Sequence, residues 1–330
     1  MLAFILRRVL QAVIVMIAVA LVSFSLFNYV GDPINNMVGI ETTEAERQEL
    51  RASLGLDDPA YVQFGRFVGN IASGEFGVSY RLTRPVGEII MERLPATLEL
   101  SIASALIALF LGIVMGVYTA LYRKSWMSHI FLTVSLIGVS LPTFIIGILL
   151  ILVFSVNLGI LPAFGRGEVV QIGWWTTGLV TLSGLKALIM PALTLGLFQM
   201  TLIMRLVLAE MLEVLRTDYI KFARARGLRG RSVHFGHALK NTLVPVITVA
   251  GLQLGSIFAF SIIVETVFQW PGLGQLIIQA IQFADVPIMA AYLVMIALLF
   301  VIINLIVDLL YYAVDPRLRM DKTVMSTAAG

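Results

Sequence analysis

The chain contains no cysteine. Disulfides, thiolate metal centres and cysteine nucleophiles are excluded together. Charge is also scarce: 13% of residues are Asp, Glu, Lys or Arg, where soluble domains carry about 25%. Three motifs are missing as well. There is no G-x-x-x-x-G-K-[ST] phosphate loop, so nucleotide is not bound in that way. There is no H-E-x-x-H zinc motif and no G-x-S-x-G nucleophile turn. His234 and His237 lie three apart with no third ligand nearby and many cations around them, so no metal site is expected. No catalytic residue and no enzymatic activity of the chain itself is expected.

What the chain has in quantity is apolar sequence. It is 59% hydrophobic over 330 residues, with mean hydropathy +0.94, and so needs an apolar solvent for most of its surface. Six runs reach the roughly 20 residues that a transmembrane helix requires. They lie at about 9–30, 98–122, 129–158, 186–209, 242–264 and 288–314. Ala18-Val19-Ala20 is a candidate signal-peptide cleavage site, but the apolar run continues ten residues beyond it, which favours an uncleaved first span. Pro142 inside the third run predicts a kink or tilt. The expected organisation is a cytosolic end and first span at 1–30, then an extracytoplasmic loop at 31–95. A transmembrane core follows at 96–314, holding a cytosolic loop at 211–241, and a tail closes the chain at 315–330. In the loop, a short acidic helix is expected from Thr42, as cap, to Leu54. The Trp174-Trp175 pair suits either a membrane interface or packing within its loop.

Six spans put both termini on one side, and the basic residues choose the side. Arg7, Arg8, Arg123, Lys124, Arg317, Arg319 and Lys322 share it with seven cations between 211 and 241. The opposite side has Arg166 alone in 159–185 and none in 265–287. Both termini are therefore expected in the cytosol.

Ion-coupled carriers need ionisable groups deep in the spans. Arg205 and Asp308 fall near cytosolic helix ends, and Glu99 and Glu265 near outer ones. The more central polar residues are Ser140, Gln199, Gln253, Ser256 and Asn304. Ser140, Gln199, Gln253 and Ser256 are candidate pathway-lining residues; interhelical hydrogen bonding is the alternative for each. Gly112/Gly116 and Gly251/Gly255 fit G-x-x-x-G, which serves close packing of helices or dimerisation.

One polar island stands apart, Asp218 to Pro245. Helical spacing gives it a small apolar face around Tyr219, Phe222 and Ala223, and Gly227 is a helix stop. Three uses are open to it: binding anionic lipid, anchoring the topology, or seating in a groove of a cytosolic partner.

The island resembles the cytosolic EAA loop of binding-protein-dependent ABC-transporter permeases. It is most similar to the dipeptide, oligopeptide and nickel branch, through D-Y-I-K-F-A-R-A-R-G (218–227) and H-A-L-K-N-T-L-V-P (237–245). Other motifs extend the likeness along nearly the whole chain. They are M-L-A-F-I-L-R-R (1–8), G-D-P (31–33), L-G-L-D-D-P (54–59), G-E-F-G-V-S (74–79), R-L-P-A-T-L-E-L (93–100), L-P-A-F-G (161–165), P-A-L-T-L-G (191–196), E-T-V-F-Q-W-P-G-L-G (265–274) and V-D-L-L-Y-Y-A-V-D-P-R (307–317). Lys221 stands where the name-giving glutamate of the loop would fall.

The resemblance implies an all-α polytopic membrane protein with six transmembrane helices and the type I ABC importer permease fold. It implies one half of a pathway for di- or oligopeptides in the bacterial cell (inner) membrane. The partners implied are a second, homologous permease (a heterodimer), two cytosolic ATPase subunits, an extracytoplasmic binding protein and membrane lipid; no nucleic acid is expected. The chain itself would hold no cofactor, since ATP and Mg would be bound by the ATPases. Asp218, Tyr219, Phe222, Ala223, Arg224, Ala225 and Gly227 would form the ATPase-docking surface. The rival readings are an ion-coupled secondary transporter and a membrane scaffold without transport.

Overall fold

A computed structural model describes residues 2–29, 43–53 and 57–314. The expected Gly-Asp-Pro motif at 31–33, the cap Thr42, the helix end Leu54, the tail at 315–330 and the side chain of Asp308 lie outside the described residues.

Helix α1 (Leu2–Tyr29) carries a 21-residue apolar stretch, Leu6–Leu26, of which 17% is buried. Leu10, Ile14, Ile17 and Leu21 are exposed along it, as a helix facing hydrocarbon requires. Phe24 packs against Phe64 and Phe67 at centroid distances of 5.5 and 5.8 Å. Both belong to α3 (Ala60–Ala72). Before it comes α2 (Glu44–Ser53). Thr43 caps it. The Thr43 hydroxyl accepts from the Glu46 N–H at 3.4 Å, and the Glu46 carboxylate accepts from the Thr43 N–H at 2.9 Å. This reciprocal capping box needs a glutamate three residues after the cap, and Glu46 stands in that relation to Thr43. The Thr43 N–H and the Thr43 hydroxyl both donate to the Glu46 carboxylate at 2.9 Å and hold it below its ordinary pKa.

Helix α4 (Val86–Leu121) has 36 residues. It begins twelve residues before the expected Leu98, so the expected 95/96 boundary falls inside it. Pro95 lies inside it, where its missing N–H forfeits the ladder bond to residue 91.

The third run departs most from expectation. It is two helices, α5 (Trp126–Ser140) and α6 (Thr143–Leu150, continued as a π-helix, Ile151–Asn157), bent by 119°. Each arm has 15 residues, about 22 Å at 1.5 Å per residue, which is shorter than the ~30 Å hydrocarbon core. The break follows from Pro142. The preceding residue, Leu141, is pushed to extended backbone, φ −95 and ψ 135, and the proline then opens the next helix. A short hairpin, β1 (Val170–Ile172) with β2 (Trp175–Thr177), interrupts the following loop. Trp174 and Trp175 meet edge to face at 5.3 Å.

Helix α7 (Leu182–Val214) is the most buried of the long apolar helices. Gly112 and Gly116 of α4 lie against it. A Cβ on Gly112 would come within 2.8 Å of Ile203, and one on Gly116 within 2.7 Å of Val207 and of the Met204 carbonyl. This G-x-x-x-G pair thus serves packing within the chain. After α7 come α8 (Asp218–Ala225), a π-helical segment (Ser232–Ala238) and α9 (Leu239–Val267), which bends by 56°. The last helices are α10 (Leu273–Gln282) and α11 (Val286–Val314).

Among the described residues, four helices are long and apolar enough to cross a membrane, and up to six crossings result if each bent pair is one span. The chain divides into two compact units. The first comprises Met1–Ala96, Gln171–Thr176 and Pro271–Ile302; the second comprises Thr97–Val170, Thr177–Trp270 and Ile303–Gly330. In the first, Asp285 accepts from the Ser79 hydroxyl and from the N–H groups of Tyr80 and Arg81. In the second, Arg166 pairs with Glu99, and Thr97 donates to Glu265 at 2.7 Å.

Candidate functional site

The first candidate is α8. Its eight residues, D-Y-I-K-F-A-R-A, divide sharply by exposure. Ile220 is 0% exposed and Ala223 7%. Both join the apolar core formed by Met204, Val207 and Met211 of α7 and by Val233 and Ala238 of the π-helical segment. Burying an isoleucine side chain stabilises by about 1.5–3 kcal/mol, so α8 is held by its own chain. Tyr219 and Phe222 point the other way, with Phe222 63% exposed. Ala223 therefore lies in the interior, and the outward apolar surface narrows to Tyr219 and Phe222. Asp218, Arg224 and Ala225 are exposed. Asp218 pairs with Lys221 at 2.8 Å at the surface. The Tyr219 hydroxyl accepts from the Asn241 amide at 2.6 Å, which ties α8 to the start of α9.

Gly227 ends the helix. Its φ is +76. Its N–H donates to the Arg224 carbonyl at 2.9 Å, and the Leu228 N–H donates to the Ala223 carbonyl at 3.3 Å. These two bonds form a Schellman cap, which needs a left-handed residue at this position. Around it Arg216, Lys221, Arg224, Arg226, Arg229 and Arg231 are all exposed, and the Arg226 guanidinium sits 5.8 Å from the Phe222 ring centroid. The island thus presents two aromatic side chains in a cationic field.

The second candidate is a cavity of about 310 Å³ in the second unit. It sits where α5 breaks into α6, walled also by α7 and α9. Ser140, Gln199 and Ser256 all line it. Gln253 does not, but its carbonyl accepts from the Ser256 hydroxyl at 2.7 Å. Residues 59 positions apart along the chain, Ser140 and Gln199, meet here because the break at Pro142 turns α5 against α7. Arg205 donates from Nε to the Ser135 hydroxyl at 3.3 Å, which pairs it locally. Asn304 is half-buried and is not among the lining residues.

Sequence reasoning missed the ion pair of Arg166 with Glu99. Its signal was available: a lone cation in 159–185 and a lone carboxylate early in the second apolar run.

Two family models match the chain. Residues 108–320 match the binding-protein-dependent transport system inner membrane component, and residues 1–101 match the N-terminal part of such membrane components. The dipeptide transport system permease protein DppB of Alkalihalophilus pseudofirmus is 37% identical over 97% of this chain and 100% of its own length. The oligopeptide transport system permease protein AppB of Bacillus subtilis is 38% identical over the same shares. Among solved structures, an inward-facing MetNI methionine ABC transporter aligns with TM-score 0.55 and 20% identity, covering 69% of this chain and 96% of that one, a likeness of fold. The chain belongs to the family of binding-protein-dependent transport system inner membrane components: it is a multi-pass ABC importer permease that works with a partner ATPase and a substrate-binding protein and is not itself an enzyme.

Proposed function

We propose that this chain forms half of the translocation pathway of a peptide importer, and that α8 is the element through which a cytosolic ATPase moves it. The observation that carries the coupling role is the division of α8. Ile220 and Ala223 are built into the core while Tyr219 and Phe222 are left outside. A helix gripped on one side and aromatic on the other transmits a push from a partner to the long helices beneath it. The names of the relatives, dipeptide and oligopeptide permeases over nearly full length, support a peptide substrate.

In this reading the chain pairs with a second, homologous permease, and two ATPases dock on the paired α8 helices. A binding protein delivers substrate to the loops at 31–95 and 265–287. ATP and Mg²⁺ sit on the ATPases alone. The termini and the loop at 211–241 face the cytosol, as the basic residues favour. Exposed arginines of the island rest near anionic lipid. Nucleotide binding shifts the permease pair between outward- and inward-open states.

The test is co-expression with the ATPases and the second permease, followed by purification and uptake of a labelled dipeptide into proteoliposomes. Phe222→Asp is expected to insert normally, to lose ATPase co-purification and to cut uptake at least about tenfold, as loss of an aromatic anchor at an interface does. Wild-type uptake in that variant would sink the coupling assignment.

A further inference from the structure

We infer that Arg81, lying over the ring of Phe283, is a docking contact for the substrate-binding protein, its guanidinium taking a carboxylate of that protein. The inference rests on the topology and the delivery of substrate proposed above, and adds to them the residues and the chemistry of the contact.

Two segments far apart in sequence meet here, 79–84 before α4 and 283–285 between α10 and α11, both within the first unit. Asp285 is 1% exposed. It accepts from the Ser79 hydroxyl and, at 3.4 Å each, from the N–H groups of Tyr80 and Arg81. The Ser79 oxygen in turn accepts from the Leu82 N–H at 2.9 Å. One buried carboxylate thus fixes the backbone of Arg81 from inside. Each segment also holds a non-glycine residue in the left-handed region, Thr83 and Ala284, both at φ +51. Such backbone costs free energy and persists where the surroundings over-determine it, ligand clamps among them.

The side chains carried on this frame point outward. The Arg81 guanidinium carbon lies 3.7 Å from the Phe283 ring centroid, a close cation–π pair. Both residues are exposed, and so are Leu82, next to Arg81, and Ile281, two before Phe283. Arg84, three residues on, is paired with Glu92 and Glu88. Arg81 has no carboxylate partner among the described residues. The ring offers no lone pair, so the N–H donors of Arg81 remain for a partner, and a guanidinium takes a carboxylate through two parallel bonds. An arginine, an aromatic ring and apolar neighbours are the composition of an interface hot spot, and here little is left to order on binding.

The side of the membrane selects the partner. The cations assigned to the cytosol follow the far ends of both helices that start here, Arg123 and Lys124 after α4, Arg317 and Arg319 after α11. In that topology the cluster faces the side from which a binding protein approaches, and transport systems of this family depend on one.

The experiment uses the whole transporter in nanodiscs, with its purified, peptide-loaded binding protein as probe. The quantity read is the binding-protein concentration that half-maximally stimulates ATP hydrolysis. Arg81→Glu is expected to raise it about tenfold or more, as loss of a charge at a hot spot does, with the maximal rate and ATPase co-purification unchanged. Phe283→Leu is expected to raise it about threefold. The gap between wild type and Arg81→Gln should narrow as salt is raised to about 1 M, where the Debye length falls to about 3 Å. A merely structural Arg81 leaves that gap independent of salt, and that result overturns the inference. Wild-type behaviour of Arg81→Glu overturns it too. So does a loss confined to nanodiscs of anionic lipid and absent in phosphatidylcholine, which would assign the cation to the membrane surface. If Arg81→Glu does not assemble, Arg81→Gln takes its place, with a rise of about threefold or more expected and the same overturning results. A wild-type complex that its binding protein does not stimulate overturns the delivery reading and this inference with it; a wild type that is stimulated while the variants match it overturns this inference alone.

Discussion

Arg166 donates to Glu99 at 2.6 Å across 67 residues of sequence, and the two side chains are 6% and 4% exposed. Glu99 sits on α4, and Arg166 sits in the loop between α6 and α7. The Gly178 N–H also approaches the Glu99 carboxylate, at 3.5 Å. A buried pair of this kind fastens the loop to the helix, because each charge offsets part of the hydration the other loses on burial.

Breaking one side of that pair should be severe. Arg166→Met takes the paired cation from a buried carboxylate and is expected to cost about 3–5 kcal/mol, read as a lower melting temperature of the purified complex. The double variant Arg166→Met with Glu99→Leu should recover most of that loss. Equal melting temperatures for the single variant and wild type would show that the pair holds nothing.

Gly227 should tolerate little. Alanine at φ +76 is expected to cost about 1–2 kcal/mol. Proline fixes φ near −65° and has no N–H, so Gly227→Pro removes both the conformation and the bond to Arg224. Faster hydrogen exchange across residues 218–228 and loss of ATPase co-purification are expected from the proline variant, with normal membrane insertion. Protection like that of wild type would refute the cap.

Gly116 should resist enlargement. A valine there places atoms where Val207 and the Met204 carbonyl already lie, within 2.7 Å of the first added carbon. Overpacking of this kind costs about 1–3 kcal/mol. Gly116→Val is expected to melt lower and accumulate less in membranes. Gly74, whose added Cβ meets nothing within 4 Å, is no clean control because its φ is +81; Gly69→Ala, with open space and no such φ, should be neutral.

The capping box on α2 gives a pH dependence with a definite sign. The Glu46 carboxyl is held below its ordinary value first by the Thr43 N–H and then by the Thr43 hydroxyl. Its contribution to α2 is therefore fully present above the ordinary glutamate pKa and is lost as pH falls through the lowered folded value. An NMR titration of Glu46 should show the lowered midpoint, and Thr43→Val should raise it. An unchanged midpoint in that variant would argue against the box.

Much of this molecule was legible without coordinates. Composition and the lengths of the apolar runs give an all-helical membrane protein, because a bilayer leaves an isolated segment no other way to satisfy its backbone. Gly227 as a helix end and Pro142 as a disturbance of the third run both follow from local rules of the backbone, while Gly112 and Gly116 marked a close helix contact, within the chain or between chains, that the structure places against α7. The motifs around 218–227 and 237–245 pointed to the family, since their spacing is a property of the chain itself.

The inward turn of Ile220 and Ala223 was not legible, because periodicity finds a face on a short helix but not what covers it. The depth of the break at Pro142 was not legible either. A proline ends a helix locally, whereas 119° is set by what the two arms pack against. Gln199 looked like any central polar residue until α5, α7 and α9 closed a cavity around it. Sequence alone thus determined solvent, the predominance of helix and family, through interactions within a few residues or with the surrounding medium. The meeting of Arg166 with Glu99, and the gathering of Ser140, Gln199 and Ser256 around one cavity, were decided only by the tertiary structure, because they join side chains that sequence distance does not bring together.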